Sequence, residues 1–379
     1  MRLHPLDPIL AAVMRRRAAA GQRPRPMAAF DPDRVRRILA VSSTAIGDTL
    51  FATPALRALR ARYPRARIVG HLRDKVVPLF SDNPHLDAII PYAGGYRRFL
   101  GTVAALRREQ FDVAVIFHGA GPQAIPMAVL SGAPFVVRIP NSGEYGYLLS
   151  NADAAPHNLP YPGEHAIQCR LRIAGMVDAK SDDVRMVLPV TGGDRERARA
   201  LLARAGIEPG APLLGLVPGA ATRFKRWPAD RFAAAATALL ERGWRALVLG
   251  SREERALGSA VARRIGPAAV SLAGVAGLGA LRGLVAGLTL LVTNDTGPLH
   301  VAVALGIPTV SLFGATDSGG TGPLQDPERH TVLQHPVPGW ETRNIRRRSS
   351  EAMLRIEVDD AVAASRALLA RVGGRTCAG

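Results

Sequence analysis

From Arg37 onward short apolar runs alternate with helix-patterned stretches, and after an interruption the alternation starts again at Leu213. The runs cover 38–42, 68–72, 87–91, 111–117 and 135–139, then 213–217, 245–250, 269–272, 288–292 and 309–313. Helical spacing is expected from Gly47-Asp48 to about Arg62, and over 97–108, 164–175, 194–205, 230–242, 253–265, 278–286, 297–305 and 358–371. Strands that are apolar along their whole length need cover on both faces, and helices between them supply it. The expected fold is therefore α/β, with two doubly wound parallel-sheet domains. In such sheets ligands bind beyond the carboxyl ends of the strands, so a cleft between the halves is the expected place for one.

Length and composition narrow the class. The 379 residues suffice for two domains, and 47% of them are apolar, which favours a globular chain. The two cysteines, Cys169 and Cys377, lie far apart, which argues against a disulfide scaffold and fits a reducing compartment. Cys169 reads as a small core residue. The net charge of +18 suits nucleic acid, an anionic membrane surface or anionic small substrates, or only a well-solvated arginine-rich surface. Charge clusters at Arg15–Arg17, Arg34–Arg37 and Arg346–Arg348, but no RNP-like aromatic pattern or zinc finger accompanies it, so nucleic acid ranks last. No secretory signal and no apolar run long enough for a transmembrane helix are present. The expected divisions are a flexible basic extension (1–33), a first domain (34–190), a second domain (191–355) and a C-terminal helix and tail (356–379).

Three strand ends carry chemistry. At the first, Gly47 and Asp48 stand at the mouth of a helix, where a carboxylate either caps the helix or faces the cleft as a general base. The second, from Pro218 to Pro228, sets Arg223, Lys225 and Arg226 beside Trp227 in a Gly-containing loop; it is either a solvated basic loop anchored by Trp227 or a clamp for a diphosphate. The third is Asn294-Asp295-Thr296-Gly297, with His300 one turn on. A helix start offers free N–H donors and the positive end of the helix dipole, so an anion fits there; the alternative is that Asp295 or Thr296 only caps the helix. A neighbouring loop, Phe313-Gly314 to Asp317, is expected beside it. A Walker phosphate loop, a Rossmann Gly-x-Gly-x-x-Gly, a nucleophile elbow and metal-ligand spacing are all missing. Asp31-Pro32-Asp33 reads as helix-start punctuation.

These motifs, in this order, closely resemble the ADP-heptose:lipopolysaccharide heptosyltransferases, glycosyltransferase family 9. The likeness covers about 37–335 and rests on Ile46-Gly47-Asp48 through Leu59, Pro218-Gly219-Ala220 through Pro228, and Asn294 through His300 with Gly306-Ile307-Pro308. It implies a GT-B fold: two Rossmann-like domains facing across a cleft, acceptor in the first and nucleotide sugar in the second. It implies an inverting, metal-independent transfer with no cofactor, from a nucleotide sugar expected to be ADP-heptose to an anionic glycolipid at the membrane surface. Asp48 matches the family's catalytic base and Lys225 its diphosphate-side lysine; Asp295, Thr296, Gly297 and His300 match the donor segment. Gly47, Arg223, Asn294 and Gly314 complete the expected substrate-binding set. The family often has an arginine where this chain has Ser42. The expected location is the cytoplasm, peripheral on the inner membrane face. Rival expectations are the same fold with another nucleotide sugar or a non-lipid acceptor, and a catalytically silent nucleotide-sugar binder.

Overall fold

The structure is a computed structural model that describes residues 4–119, 121–139, 145–152, 163–335 and 350–373. The Arg346–Arg348 cluster, Cys377 and most of the loop over 141–163 lie outside the described residues. By contact the chain divides into two compact units, Met1–Val187 and Leu188–Gly379.

In the first unit, β1 (Arg37–Ser42), β2 (Arg67–Arg73), β3 (Ala88–Tyr92), β4 (Val113–His118) and β5 (Phe135–Val137) form a parallel sheet in the order β3-β2-β1-β4-β5. Its helices are α1 (Asp7–Ala19), α2 (Ile46–Arg62), α3 (Val77–Phe80), α4 (Phe99–Arg108), α5 (Ala124–Leu130) and α6 (Ala166–Gly175). Alternate strand residues Leu39, Val41, Val69, Ala114, Ile116 and Val136 enter one buried cluster with α1, α4 and α5. Helices α2 and α6 pack against each other and against β4.

The Thr53-Pro54 pair shows how α2 survives an internal proline. Pro54 has no N–H to give to the carbonyl of Leu50. The Thr53 hydroxyl donates to that carbonyl instead, at 2.7 Å. The Thr53 hydroxyl oxygen in turn accepts the N–H of Val187 at 2.9 Å, which ties the end of the unit back to α2.

The N-terminal segment corrects the expectation of a flexible extension. It forms α1, with Leu10, Ala11, Met14 and Ala18 buried in the core cluster. Its first residue, Asp7, is 4% exposed, and its carboxylate accepts the N–H of His4 (2.7 Å), the Tyr96 hydroxyl (2.6 Å) and the Gln123 amide (3.3 Å). A buried carboxylate is tolerated only with such partners, so the contacts fix the helix start. The chain then runs beside β5: Arg25 N–H donates to Pro134, Met27 N–H to Ser150, and the Phe30 ring meets Phe135 edge-on. The Asp31 carboxylate caps a short turn at Pro32–Arg34.

The second unit holds β6 (Leu213–Val217), β7 (Arg245–Val248), β8 (Ala269–Ser271), β9 (Leu290–Asn294), β10 (Thr309–Phe313) and β11 (His330–Gln334), all parallel, in the order β11-β10-β9-β6-β7-β8. The edge strand β11 has no counterpart among the expected strands. The helices are α7 (Gly192–Arg204), α8 (Ala229–Leu239), α9 (Arg255–Ile265), α10 (Leu278–Ala286), α11 (Gly297–Ala304), α12 (Ser318–Thr321), α13 (Glu351–Leu354) and α14 (Val358–Gly373). The helix expected with a tail outside the second domain belongs to this unit's core: α14 puts Ala361, Val362 and Leu368 into the cluster with α8 and the strands.

A buried ion pair joins α7 to α10. The Arg282 guanidinium lies 2.5 Å from Asp194, and both side chains are buried. The two helices are so close that a Cβ on Gly283 would sit 2.2 Å from the Asp194 carbonyl oxygen. Burial alone raises the Asp194 pKa, but hydrogen bonds from Thr191 and Arg197 and the Arg282 charge outweigh it and hold the carboxyl below its ordinary value. A folded-state pKa below the unfolded one makes a contribution to stability that is complete above the unfolded value, about 3.9, and is lost as pH falls through the folded value. Asp194→Ala leaves Arg282 as a buried charge without this partner and is expected to cost about 3–5 kcal/mol in urea unfolding at neutral pH. The difference from the parent should shrink as the pH is lowered below about 4; a gap that stays constant into acid would contradict this assignment.

Candidate functional site

Each sheet has one place where neighbouring strands send their connections to opposite faces. In the first unit it lies between β1 and β4, and in the second between β6 and β9. Loops there part and leave a crevice at the carboxyl ends of the strands.

At the first crevice the turn is Ser43–Ala45, and Gly47 and Asp48 fall inside the first turn of α2 and not before it. The N-cap is Ala45 and no side chain caps the helix, so Asp48 is not a cap. Its carboxylate accepts the Thr44 hydroxyl at 3.1 Å. Thr44 Oγ1 also lies 2.9 Å from Nδ1 of His118. A hydroxyl has one proton, so when Thr44 donates to Asp48 it accepts from His118 Nδ1–H. That tautomer leaves a lone pair on His118 Nε2, 3.7 Å from Asp48 Oδ1. From α6, Arg170 brings its guanidinium to 3.5 Å from the same oxygen, with a side chain only 9% exposed. The Asp48 carboxylate itself is 30% exposed.

His118 and Arg170 were not singled out from sequence. The pairing of β1 with β4 shifts register between Val41 and Ser42, so that Ser42 faces His118 where an even ladder would put Phe117. Such irregularities re-aim a side chain, and here one brings His118 to the strand end beside Asp48. Burial pushes the His118 imidazole below its ordinary value; Asp48 opposes that shift, and Arg170 and Arg138 add to it. Ser42 is itself buried against Thr49. Cys169 is buried, and burial raises its thiol pKa.

At the second crevice three loops meet. Asn294 ends β9 and binds the basic loop three times: its amide donates to the Pro218 carbonyl at 2.9 Å and to the Gly219 carbonyl at 3.3 Å, and its oxygen accepts the backbone Trp227 N–H at 3.1 Å. Trp227 is buried at 1% exposure and its indole N–H donates to Ile356, so it anchors the loop. Arg226 donates to the Ala220 carbonyl within the loop. Arg223 is exposed. Lys225 points inward, with Nζ 2.5 Å from Asp295 Oδ2. The same oxygen accepts the Thr316 hydroxyl at 2.8 Å, and His300 Nε2 lies 4.0 Å from the other.

Asp295 is therefore the hub of the second site rather than a helix cap. Thr296 is the N-cap of α11 but makes no side-chain cap hydrogen bond. The helix is held by its own apolarity: Leu299, Val301, Ala302 and Val303 are all buried. Gly314 is required by proximity, since a Cβ there would lie 2.7 Å from Met353 Cγ and 2.8 Å from the Phe224 carbonyl oxygen. The structure thus gathers Lys225, Asn294, Asp295, Thr296, Gly297, His300 and Gly314 at the second site, with Gly47 and Asp48 at the first. Among the described residues no group of three or more His, Cys, Asp and Glu side chains is placed to hold a metal ion. A cavity of about 710 Å³ lies elsewhere on the first unit, along α6. The Arg172 guanidinium in it is already bidentate to Glu164, at 2.8 and 2.9 Å.

In a pH titration followed by NMR, the His118 ring is expected to titrate below the ordinary imidazole value of about 6.5. Arg170→Gln removes a charge that disfavours the imidazolium, so its midpoint should move up. An ordinary midpoint in the parent protein, or no movement in the variant, would contradict the contacts described.

The family model for glycosyltransferase family 9 (heptosyltransferase) matches residues 102–346. The lipooligosaccharide heptosyltransferase 2 of Haemophilus influenzae is 28% identical to the chain over 306 residues, 76% of this chain and 86% of that protein. The lipopolysaccharide heptosyltransferase 2 of Salmonella typhimurium is 28% identical over 311 residues, 77% and 87% of the two chains. Among solved structures, the glycosyl transferase family 9 protein of Veillonella parvula superposes with a TM-score of 0.75 at 21% identity, over 88% of this chain and 97% of that one. The ADP-heptose lps heptosyltransferase II of E. coli gives 0.72 at 22%, over 89% and 99%. At these identities the structural likeness speaks for the fold.

Proposed function

The chain belongs to glycosyltransferase family 9, and on that premise we propose that it moves a heptose from ADP-heptose to a hydroxyl of a lipopolysaccharide-core or related envelope glycan. The transfer inverts the anomeric carbon and uses no metal. The curated relatives are named as lipooligosaccharide and lipopolysaccharide heptosyltransferases, which supports this choice of sugar and acceptor.

The observation that carries the proposal is the setting of Asp48. Its carboxylate stands partly open at the crevice of the first sheet, and the Thr44 hydroxyl fixes one oxygen. In this role Asp48 takes the proton of the acceptor hydroxyl as that oxygen bonds to C1 of the heptose. The bond from C1 to the β-phosphate oxygen breaks, and its electron pair leaves with ADP. Lys225, paired with Asp295 in this structure, exchanges part of that contact for the diphosphate. The first N–H groups of α11, at Thr296 and Gly297, face the same charge. His118, with Nε2 at 3.7 Å from Asp48, offers a second atom able to hold the proton once Asp48 has received it. Asn294, His300 and Gly314 shape the donor side, and Arg223 and Gly47 complete the binding set.

The test is turnover of ADP-heptose with a lipopolysaccharide-core acceptor, read as ADP release. Asp48→Asn is expected to lower kcat by about 10²–10⁴-fold while ADP still raises the melting temperature. Lys225→Ala is expected to lower kcat by about 10²–10³-fold. Parent-like turnover by Asp48→Asn would remove the base assignment. A donor panel in which another nucleotide sugar is used and ADP-heptose is not would replace the donor.

A further inference from the structure

One face of α1 is left over once its inner side is packed. Ile9 is 59% exposed, Val13 45% and Leu6 39%, although all three are apolar. With about 3.6 residues per turn, Leu6, Ile9, Val13 and Arg16 fall on one outward stripe, opposite the buried Leu10, Met14 and Ala18. Arg15 lies on the flank of α1 between the stripe and the buried side, and both arginines are exposed.

A fourth exposed apolar side chain stands close by. The His4 ring packs on Tyr96, 4.8 Å between centroids, and the Tyr96 hydroxyl donates to Asp7. These contacts bring the start of α4 to the start of α1. There Leu100 is 80% exposed, preceded by the exposed Arg97 and Arg98. Of the seven large apolar side chains exposed among the described residues, these two helix starts and the first turns of α1 hold four.

We propose that the outward face of α1, with Leu100, Arg97 and Arg98 beside it, docks the protein onto the surface of an anionic phospholipid bilayer. Apolar side chains on one stripe with arginines at its edge match the layering of a membrane interface, acyl chains beneath phosphates. No described helix is long and apolar enough to cross a membrane, so the contact is a surface one. The chain's net charge of +18 adds a general attraction to an anionic surface that an uncharged protein partner would not share. The surface needs no assumption about the donor or the acceptor, and its test contains neither.

The test is flotation of the full-length protein with vesicles of phosphatidylcholine alone and of phosphatidylcholine with phosphatidylglycerol. The parent is expected to float with the second kind, and less so as salt is added. Each arginine near an anionic surface contributes about a fivefold factor, so Arg15→Ser with Arg16→Ser should weaken capture about 25-fold. Ile9→Asp with Val13→Asp should weaken it by about tenfold or more. These side chains point outward, so the variants should keep the parent's melting temperature. Leu100→Asp, on a different helix, gives an independent reading should the α1 variants melt early. Failure of the parent to float with phosphatidylglycerol vesicles would overturn the proposal. So would equal capture of parent, Ile9→Asp/Val13→Asp and Leu100→Asp. If the parent instead sediments as a dimer that Ile9→Asp/Val13→Asp dissolves, without vesicle capture, the face seats a second copy and the membrane assignment is wrong.

Discussion

Parallel strand pairing is the constraint from which most of this structure follows. Every strand runs the same way within its sheet, so every connection must cross back over a face, and the helices that do so bury both sides. Their loops then collect at one edge of each sheet. Asp48 and His118 reach one such edge from β1 and β4; Lys225, Asp295 and Thr316 reach the other from β6, β9 and β10. Neither cluster is contiguous in sequence, and neither needs more than the order of the strands to be assembled.

The two edges share an electrostatic device. In each, a carboxylate has a cation beside it and accepts a threonine hydroxyl: Arg170 and Thr44 for Asp48, Lys225 and Thr316 for Asp295. They differ in how firmly the charge is held. Lys225 is at contact distance from a carboxylate that is almost closed to solvent, whereas Arg170 stands off at 3.5 Å from one that is open. A cation so close to its counter-ion gives it up only to a stronger anion, which a diphosphate is. A carboxylate left partly unsatisfied keeps a lone pair for an incoming proton.

The period of the hydrophobic pattern was enough to show both sheets, nearly every strand, and the strand ends near which Asp48, Lys225 and Asp295 stand. It failed where the deciding contact is far away along the chain. Nothing near α1 shows that Asp7 meets Tyr96 and Gln123, 89 and 116 residues on, and two of its four buried apolar residues are alanine, which gives a weak pattern. The shift that brings His118 to Asp48 is a property of two strands together and leaves no trace in the alternation of either. Arg170 is one of two arginines on α6, and only the fold distinguishes it from Arg172. The family often has an arginine where this chain has Ser42; that serine is buried, and a guanidinium reaches Asp48 from α6 instead. For the same reason the charged residues of 1–33 suggested a loose tail, although the inward positions of its helix carry no charge beyond the satisfied Asp7.

The position of α1 in the chain also bears on how the protein is made. It leaves the ribosome ahead of much of the cluster that receives Leu10 and Met14, which also holds residues of β1, β4 and α5, and α5 ends only at Leu130. Domains fold during synthesis as their parts become available. Throughout that interval the nascent chain presents a short basic segment with both its apolar sets uncovered, one destined for the core and one for the outside. Whatever first engages that segment does so before the sheet exists.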